Sequence, residues 1–323
     1  MDWQWQERIK GEVTEWFKER AWKVRTPQKG VEGSNPSLSA RWPRSPKPLL
    51  EAEVFLYPNN GTKSRPSMAS NTCELPTPAQ HYNPMKSNPK GPDKGAVRRM
   101  FDKIAPSYDP INTLLSFGTD HRWRRLLVAR VAQDHPDKVL DLAAGTGEVT
   151  IRLAEALEGA HIVAADLSEG MLAIARGKVE RKGLQSRVSL VVADAEALPF
   201  ADGEFDAVTL SFGIRNFSAP ATAVAELYRT TRAGATVRIM EFGMPKGRVF
   251  GCLYRFYQRW VMPFVGGLLS GKWSAYRYLP ASIEAFDRRV DVAALLAEAG
   301  FVEVTTEPLT RGIARLYSAK KMG

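Results

Sequence analysis

VLDLAAGTGEVT, residues 139–150, is an apolar run with an acid at its end that opens into a glycine-bearing turn. Val139, Leu140 and Leu142 suit a buried strand, and Asp141 marks where it stops. Gly145 and Gly147 let the backbone turn sharply and come close to a ligand, because no Cβ intervenes. A strand, a tight glycine turn and a helix from Glu148 form the opening unit of a nucleotide-cradling sheet.

The chain on either side continues the alternation. Upstream, a helix is expected over Lys94–Ile104, and another from about Asn112 to Val131, with Leu114, Leu115, Trp123, Leu127 and Val131 at apolar spacings. Downstream come the strand HIVAAD, a helix from Ser168 to Arg181, the strands RVSLVVAD and FDAVTLSF, a helix from Ala219 to Thr231 and the strand ATVRIMEF. Runs of Val, Ile, Leu and Ala separated by helices indicate a parallel sheet covered on both faces. The tail adds a helix from Val292 to Ala299 stopped by Gly300, then the strands FVEVTTEPL and GIARLYSAKK. A short turn joins these two, so one of them must run antiparallel. The expected fold is α/β: a doubly wound, Rossmann-like, seven-stranded sheet, mostly parallel with one antiparallel strand. N-terminal helices precede it, and a lid insertion over residues 244–288 comes before the last helix.

Ligands of such sheets sit beyond the carboxyl ends of the strands. A dinucleotide fingerprint would place a third glycine at Thr150 and would not put Asp141 beside a diphosphate. An acid there attracts the ammonium of a methionine moiety instead. Asp166 closes the second strand, where a carboxylate suits two ribose hydroxyls. Asp194 closes the third, with Ala195 beside it, at the place for an adenine amino group. Thr146 and Ser211 supply neutral donors near the sulfonium end. A strand-end acid is ordinarily a helix cap, but three in register favour S-adenosylmethionine. The cofactor set is therefore Asp141, Gly145, Thr146, Gly147, Asp166, Asp194, Ala195 and Ser211, and no metal is required.

The first 98 residues have a different texture, with 12 of the 21 prolines, five of the eight tryptophans and no sustained period. Residues 1–93 read as an irregular leader and residues 94–323 as the folded domain. Residues 11–40 resemble a bacterial serine tRNA gene translated in frame, which implies a working start near Met68 or, in preference, Met85; the alternative is an ordinary disordered or basic extension. Of the formal charge of +10, residues 1–67 contribute 12 bases against 8 acids, which weakens any nucleic-acid reading. Two cysteines, Cys73 and Cys252, make neither a disulfide framework nor a zinc cluster. No apolar run approaches the roughly 18 residues of a membrane span.

From about Val97 to Lys320 the chain resembles the quinone C-methyltransferases of ubiquinone and menaquinone biosynthesis. The likeness is carried by FDKIAPSYDPINTLLSFGTDHRW (101–123), LDLAAGTGEVT, ADLSEGML, ADAEALPF, SFGIRNF (211–217) and YRYLPASI (276–283). It implies S-adenosylmethionine as co-substrate at Thr146, Asp166, Asp194, Ala195 and Ser211, and a prenylated quinol as methyl acceptor. Demethylmenaquinol is the first expectation, and the ubiquinone precursor 2-methoxy-6-polyprenyl-1,4-benzoquinol is the alternative. Three positions depart from the family: RAGAT before the fifth strand, Gly243 after EF, and His121, one place off.

The catalytic candidates are Arg215, whose charge favours a phenolate, and Asn216, which would orient a ring oxygen. The alternative for Arg215 is a surface salt bridge. Tyr108 and Asp109 are expected to close over the cofactor. RVFGCLYRFYQRWVMPFVGGLL (248–269) reads as a buried lid, an apolar channel or a membrane-facing surface with arginine anchors. The run RWRR (122–125) reads as a solvated face. The expected location is the cytoplasm, with peripheral contact at the inner face of the membrane; a homodimer is a further partner reading. Competing classes lack their signatures: SFGIRNF replaces the Asn-Pro-Pro motif of amino methyltransferases, and the cysteines are misplaced for cytosine-C5 or arsenic chemistry. A catalytically silent binding module stays open at this level.

Overall fold

The computed structural model describes residues 91–323. The leader, both candidate starts, Cys73 and the tRNA-like stretch lie outside the described residues, except for Gly91, Pro92 and Asp93. Asp93 caps helix α1 (Lys94–Ile104), its carboxylate accepting from the Ala96 amide at 2.6 Å.

The expected long helix is instead two: α2 (Tyr108–Leu115) and α3 (Thr119–Ala132). Phe117 and Gly118 both take positive φ, and the Gly118 amide closes back on the Thr113 carbonyl at 2.8 Å. That left-handed stop breaks a run whose apolar spacing alone reads as continuous.

Strands β1 (Lys138–Leu142), β2 (His161–Asp166), β3 (Val188–Val192), β4 (Phe205–Ser211), β5 (Thr231–Phe242), β6 (Phe301–Leu309) and β7 (Ala314–Lys321) form one sheet in the order β3-β2-β1-β4-β5-β7-β6. Its first five positions are parallel, and β7 runs antiparallel to both β5 and β6, as expected from the short β6–β7 turn. The RAGAT segment belongs to the sheet: β5 begins at Thr231, and its pairing with β4 shifts register before Thr236.

Helices α4 (Glu148–Ala156) and α5 (Glu169–Arg181) join α3 on one face; α6 (Pro220–Thr230) and α10 (Val292–Glu298) lie on the other. Leu140 and Leu142 pack toward the α6 side, and Val139 packs toward α3 and α4. This explains why strands buried on both faces read as continuous apolar runs.

The insertion folds as α7 (Arg248–Phe256), a π-helical turn (Tyr257–Val261), α8 (Met262–Ser270) and α9 (Trp273–Arg289). Met262, Ala275 and Tyr276 from it share an apolar cluster with Ile104, Ile111 and Leu115 of the N-terminal helices. The N-terminal helices and the insertion thus pack on each other.

Candidate active site

Beyond Leu142 the backbone enters a left-handed sequence, with positive φ at Ala143, Gly145 and Gly147 before α4 begins. A Cβ at Gly145 would meet nothing within 4 Å, because it would stand in the open cleft. Phe212, just past β4, also has positive φ, and a Cβ on Gly213 would lie 2.5 Å from that of Ala143. Strain of this kind at the ends of two adjacent strands persists only where the surrounding packing enforces it.

The loops beyond β1, β2, β3 and β4 enclose a cleft lined by Gly145, Asp166, Asp194, Ala195, Ser211 and Asn216. Asp166 is clamped by two backbone amides, from Gly145 and Ser168, each at 2.8 Å. Burial raises its pKa above the usual carboxylate range despite those bonds. Asp194 pairs at 2.7 Å with Lys94 of α1, which also reaches Glu196 at 2.7 Å. Lys94, Val97 and Phe101 of α1, with Tyr108 of α2, cover the cleft from above. Ser211 Oγ is buried with no hydrogen-bond partner. A buried orphan hydroxyl beside two strand-end carboxylates and an open glycine wall fits a polar nucleoside ligand.

The other three cofactor candidates stand beneath the cleft wall and do not line it. Asp141 is 1% exposed and accepts from Thr150 Oγ1 at 2.6 Å and Thr209 Oγ1 at 2.9 Å. Burial raises its carboxyl pKa to about 6. Thr146 donates to Asp109 at 2.6 Å, and Lys178 binds both Asp109 at 2.6 Å and Glu148 at 2.7 Å. Thr146 is therefore the fastening point of the N-terminal cover. Gly147 begins α4, with no room beyond 3.0 Å from Ala175 Cβ.

Next to the cleft lies a second, mostly apolar cavity of about 580 Å³. Phe101, Tyr108 and Phe212 line both spaces, so the two adjoin along these rings. Phe212 stacks on Phe242 with centroids 4.3 Å apart. Trp123 packs against both rings, and its indole N–H donates to Thr310 at 3.0 Å.

Arg215 lines this cavity at 4% exposure, so it is no surface pair. One terminal nitrogen donates to the Phe212 carbonyl and, at 2.8 Å, to Glu241, while Nε has no partner. The guanidinium carbon also sits 5.3 Å from the Phe242 ring centroid. Asn216 Oδ1 accepts from Tyr278 at 3.1 Å, tying SFGIRNF to YRYLPASI across 62 residues. Glu241 was not singled out in the sequence, although an acid inside the apolar strand RIMEF is the signal that could have found it. Tyr276 and Tyr278 carry no signal of their own beyond the motif YRYLPASI.

RWRR is solvated only in part: Arg122 and Arg125 are exposed, whereas Trp123 and Arg124 are buried, and Arg124 pairs with Asp120 one helical turn away. His121 instead contacts Arg152 at 3.0 Å and lines neither space. Among the described residues no group of three or more His, Cys, Asp or Glu could hold a metal ion.

Known proteins place this geometry. The fold aligns with the [4+2]-cyclase SpnF at a TM-score of 0.51 and 17% identity, covering 73% of this chain and 99% of that one. The demethylmenaquinone methyltransferase of Thermus thermophilus is 49% identical over 218 residues, 68% of this chain and 98% of its own length. The ubiquinone/menaquinone biosynthesis C-methyltransferase UbiE of Geotalea uraniireducens is 41% identical over 226 residues, 70% of this chain and 96% of its own. Demethylmenaquinone methyltransferase of Bacteroides fragilis is 36% identical over 244 residues, 76% of this chain and 99% of its own. Residues 89–321, which hold both cavities and every element that walls them, match the ubiE/COQ5 methyltransferase family, and the chain belongs to that family.

Proposed function

We propose that this enzyme moves a methyl group from S-adenosylmethionine to a ring carbon of a prenylated quinol, with demethylmenaquinol as acceptor. The observation that carries the reading is the shared aromatic wall of Phe101, Tyr108 and Phe212 between a cleft edged by Asp166 and Asp194 and an apolar cavity. A donor in the cleft and a ring in the cavity then meet across that wall, with water excluded by the lid.

S-adenosylmethionine supplies an electrophilic methyl on a sulfonium. In the transfer the ring carbon forms the new bond to the methyl, the sulfur leaves as a neutral thioether, and the ring carbon gives up its hydrogen as a proton. Arg215 favours the phenolate form of the quinol, because its positive charge sits in an apolar cavity where Coulomb attraction is weakly screened. Glu241 holds the guanidinium in place, and the Asn216–Tyr278 bond braces the loop that carries it. Asp166, Asp194 and Ser211 take the ribose, adenine and methionine ends of the donor.

The test is methyl transfer from labelled S-adenosylmethionine to short-chain demethylmenaquinol and to the methoxy-polyprenyl-benzoquinol. Preferential labelling of the naphthoquinol supports the reading; preference for the benzoquinol assigns the alternative acceptor. Replacing Arg215 and Glu241 together by glutamine removes both charges without stranding either one. That double variant should lower kcat roughly 100-fold or more, the usual effect of losing one charge-stabilising donor, while still binding S-adenosylhomocysteine. Undiminished turnover would remove Arg215 from the mechanism.

The catalytic unit in this reading is residues 94–323, with 244–288 as its lid and the leader dispensable. No helix among the described residues is long and apolar enough to cross a membrane. The lid nevertheless exposes Val249, Leu253, Phe256, Trp260 and Phe264, interleaved with exposed Arg248, Arg255 and Arg259. Leu253 and Phe256 also line the cavity, so this ridge rims its mouth. Its interleaved arginines favour peripheral contact with an anionic membrane over the pairing of two copies.

A further inference from the structure

Among the described residues only four buried side-chain nitrogen or oxygen atoms have no hydrogen-bond partner: Ser211 Oγ, Arg215 Nε, Arg238 Nε and the Tyr276 hydroxyl. Three of the four residues line the two cavities, Ser211 the polar cleft and Arg215 and Tyr276 the apolar one. An unpartnered buried polar atom is costly, and its persistence in a cavity wall marks where a ligand atom belongs.

Tyr276 is 3% exposed and comes from α9, on the lid, whereas Arg215 comes from the loop after β4. The ring of Tyr276 is set by its neighbours: a Cβ on Gly266 of α8 would lie 2.3 Å from it, so only glycine lets the two helices meet there. Three of the other four tyrosine hydroxyls of this wall are engaged: Tyr278 with Asn216, Tyr257 with the Leu115 carbonyl, and Tyr254 with Gln258; Tyr108 lines the cleft as well as this cavity. Tyr276 is left available within the tyrosine-rich wall.

We infer that the Tyr276 hydroxyl binds the second ring oxygen of the acceptor, so that Tyr276 and Arg215 together fix the orientation of a dihydroxylated ring. A 1,4-quinol carries two oxygens on opposite sides of its ring, and the cavity offers one cationic donor and one neutral hydroxyl to receive them. Arg215 takes the oxygen that becomes a phenolate. Tyr276 takes the oxygen that stays protonated, as donor or acceptor. The lid, through Tyr276, thereby reads the ring and not only the apolar tail. This inference rests on the quinol reading above.

The experiment compares wild type and Tyr276→Phe on a short-prenyl naphthohydroquinone and on the matching naphthol that lacks the second hydroxyl. On the dihydroxy ring the variant should lose roughly 10-fold in kcat/KM, the scale of one lost hydrogen bond to a buried partner. On the naphthol the two proteins should be alike within about two-fold, since the interacting oxygen is absent from both comparisons. Thermal stability and S-adenosylhomocysteine affinity should be unchanged or improved, because the variant deletes an orphan hydroxyl and no bond. Equal kcat/KM on the dihydroxy ring would overturn the assignment, as would an equal loss on both rings, which marks a packing defect. Failure of the wild type to methylate any quinol would overturn the activity and this inference together.

Discussion

Asp141 lies next to the glycine turn, yet the folded protein gives both its oxygens to buried threonines. Its pKa is held at about 6 against an ordinary value of 3.8, because burial penalises the charged carboxylate more than the two hydroxyls favour it. Between those two values the folded chain binds the proton that the unfolded chain has released. This group's contribution to stability is therefore complete below pH 3.8 and is lost as pH rises through about 6. Asp141→Asn should flatten that part of the profile, measured as the urea midpoint from pH 4 to pH 7; a profile parallel to the wild type would contradict the assigned pKa. The placing of Asp166, Asp194 and Ser211 in the cleft was legible from the sequence because each lies at or just past the end of a strand on the sheet's ligand-binding edge. Glu241 and Tyr276 were not. Their roles arise from pairing across 26 residues with Arg215 and from the packing of α9 on α8, neither of which has a local signature.

At the scale of elements, the lid is amphipathic in an inverted sense. Tyr254, Gln258 and Met262 face inward, while Val249, Leu253, Trp260 and Phe264 remain exposed beside arginines. A large exposed apolar surface marks contact with something else. Wild-type protein should float with vesicles containing anionic lipid at low salt and detach as salt is raised. The pair Trp260→Ser and Phe264→Ser should stay behind while keeping its turnover on a short-chain acceptor in detergent. Equal flotation of the pair would move the contact elsewhere. The N-terminal cover is fastened differently, by Asp109 between Thr146 and Lys178 and by Asp102 accepting from Ser168 at 2.6 Å. Part-buried contacts of this kind anchor α1 and α2 to α5 and to the turn of the cleft.

At the scale of the molecule, the N-terminal helices and the lid insertion, more than 130 residues apart in the chain, close one apolar cluster. The cleft needs α1, and α1 needs its cap Asp93; the preceding Pro92 carbonyl is also held, by Ser218 Oγ at 2.7 Å. A chain starting at Met85 keeps these contacts, so it should match the full-length chain in melting temperature and methyl transfer. A chain starting at Lys94 should bind S-adenosylmethionine more weakly, as read by calorimetry, and equal affinity would show that the cap is dispensable. The sequence by itself determined the sheet, its helical cover and the strand-end acids, since these follow from local periodicity and from residues adjacent in the chain. Only the tertiary structure decided that Arg215 is buried against Glu241, that Thr146 fastens the cover, that Trp123 and Arg124 wall a cavity, and that Tyr276 lines it with its hydroxyl buried and unpartnered. Each of those depends on which distant segments share a low-dielectric space, and burial sets both the strength of a charge pair and the cost of leaving a hydroxyl alone.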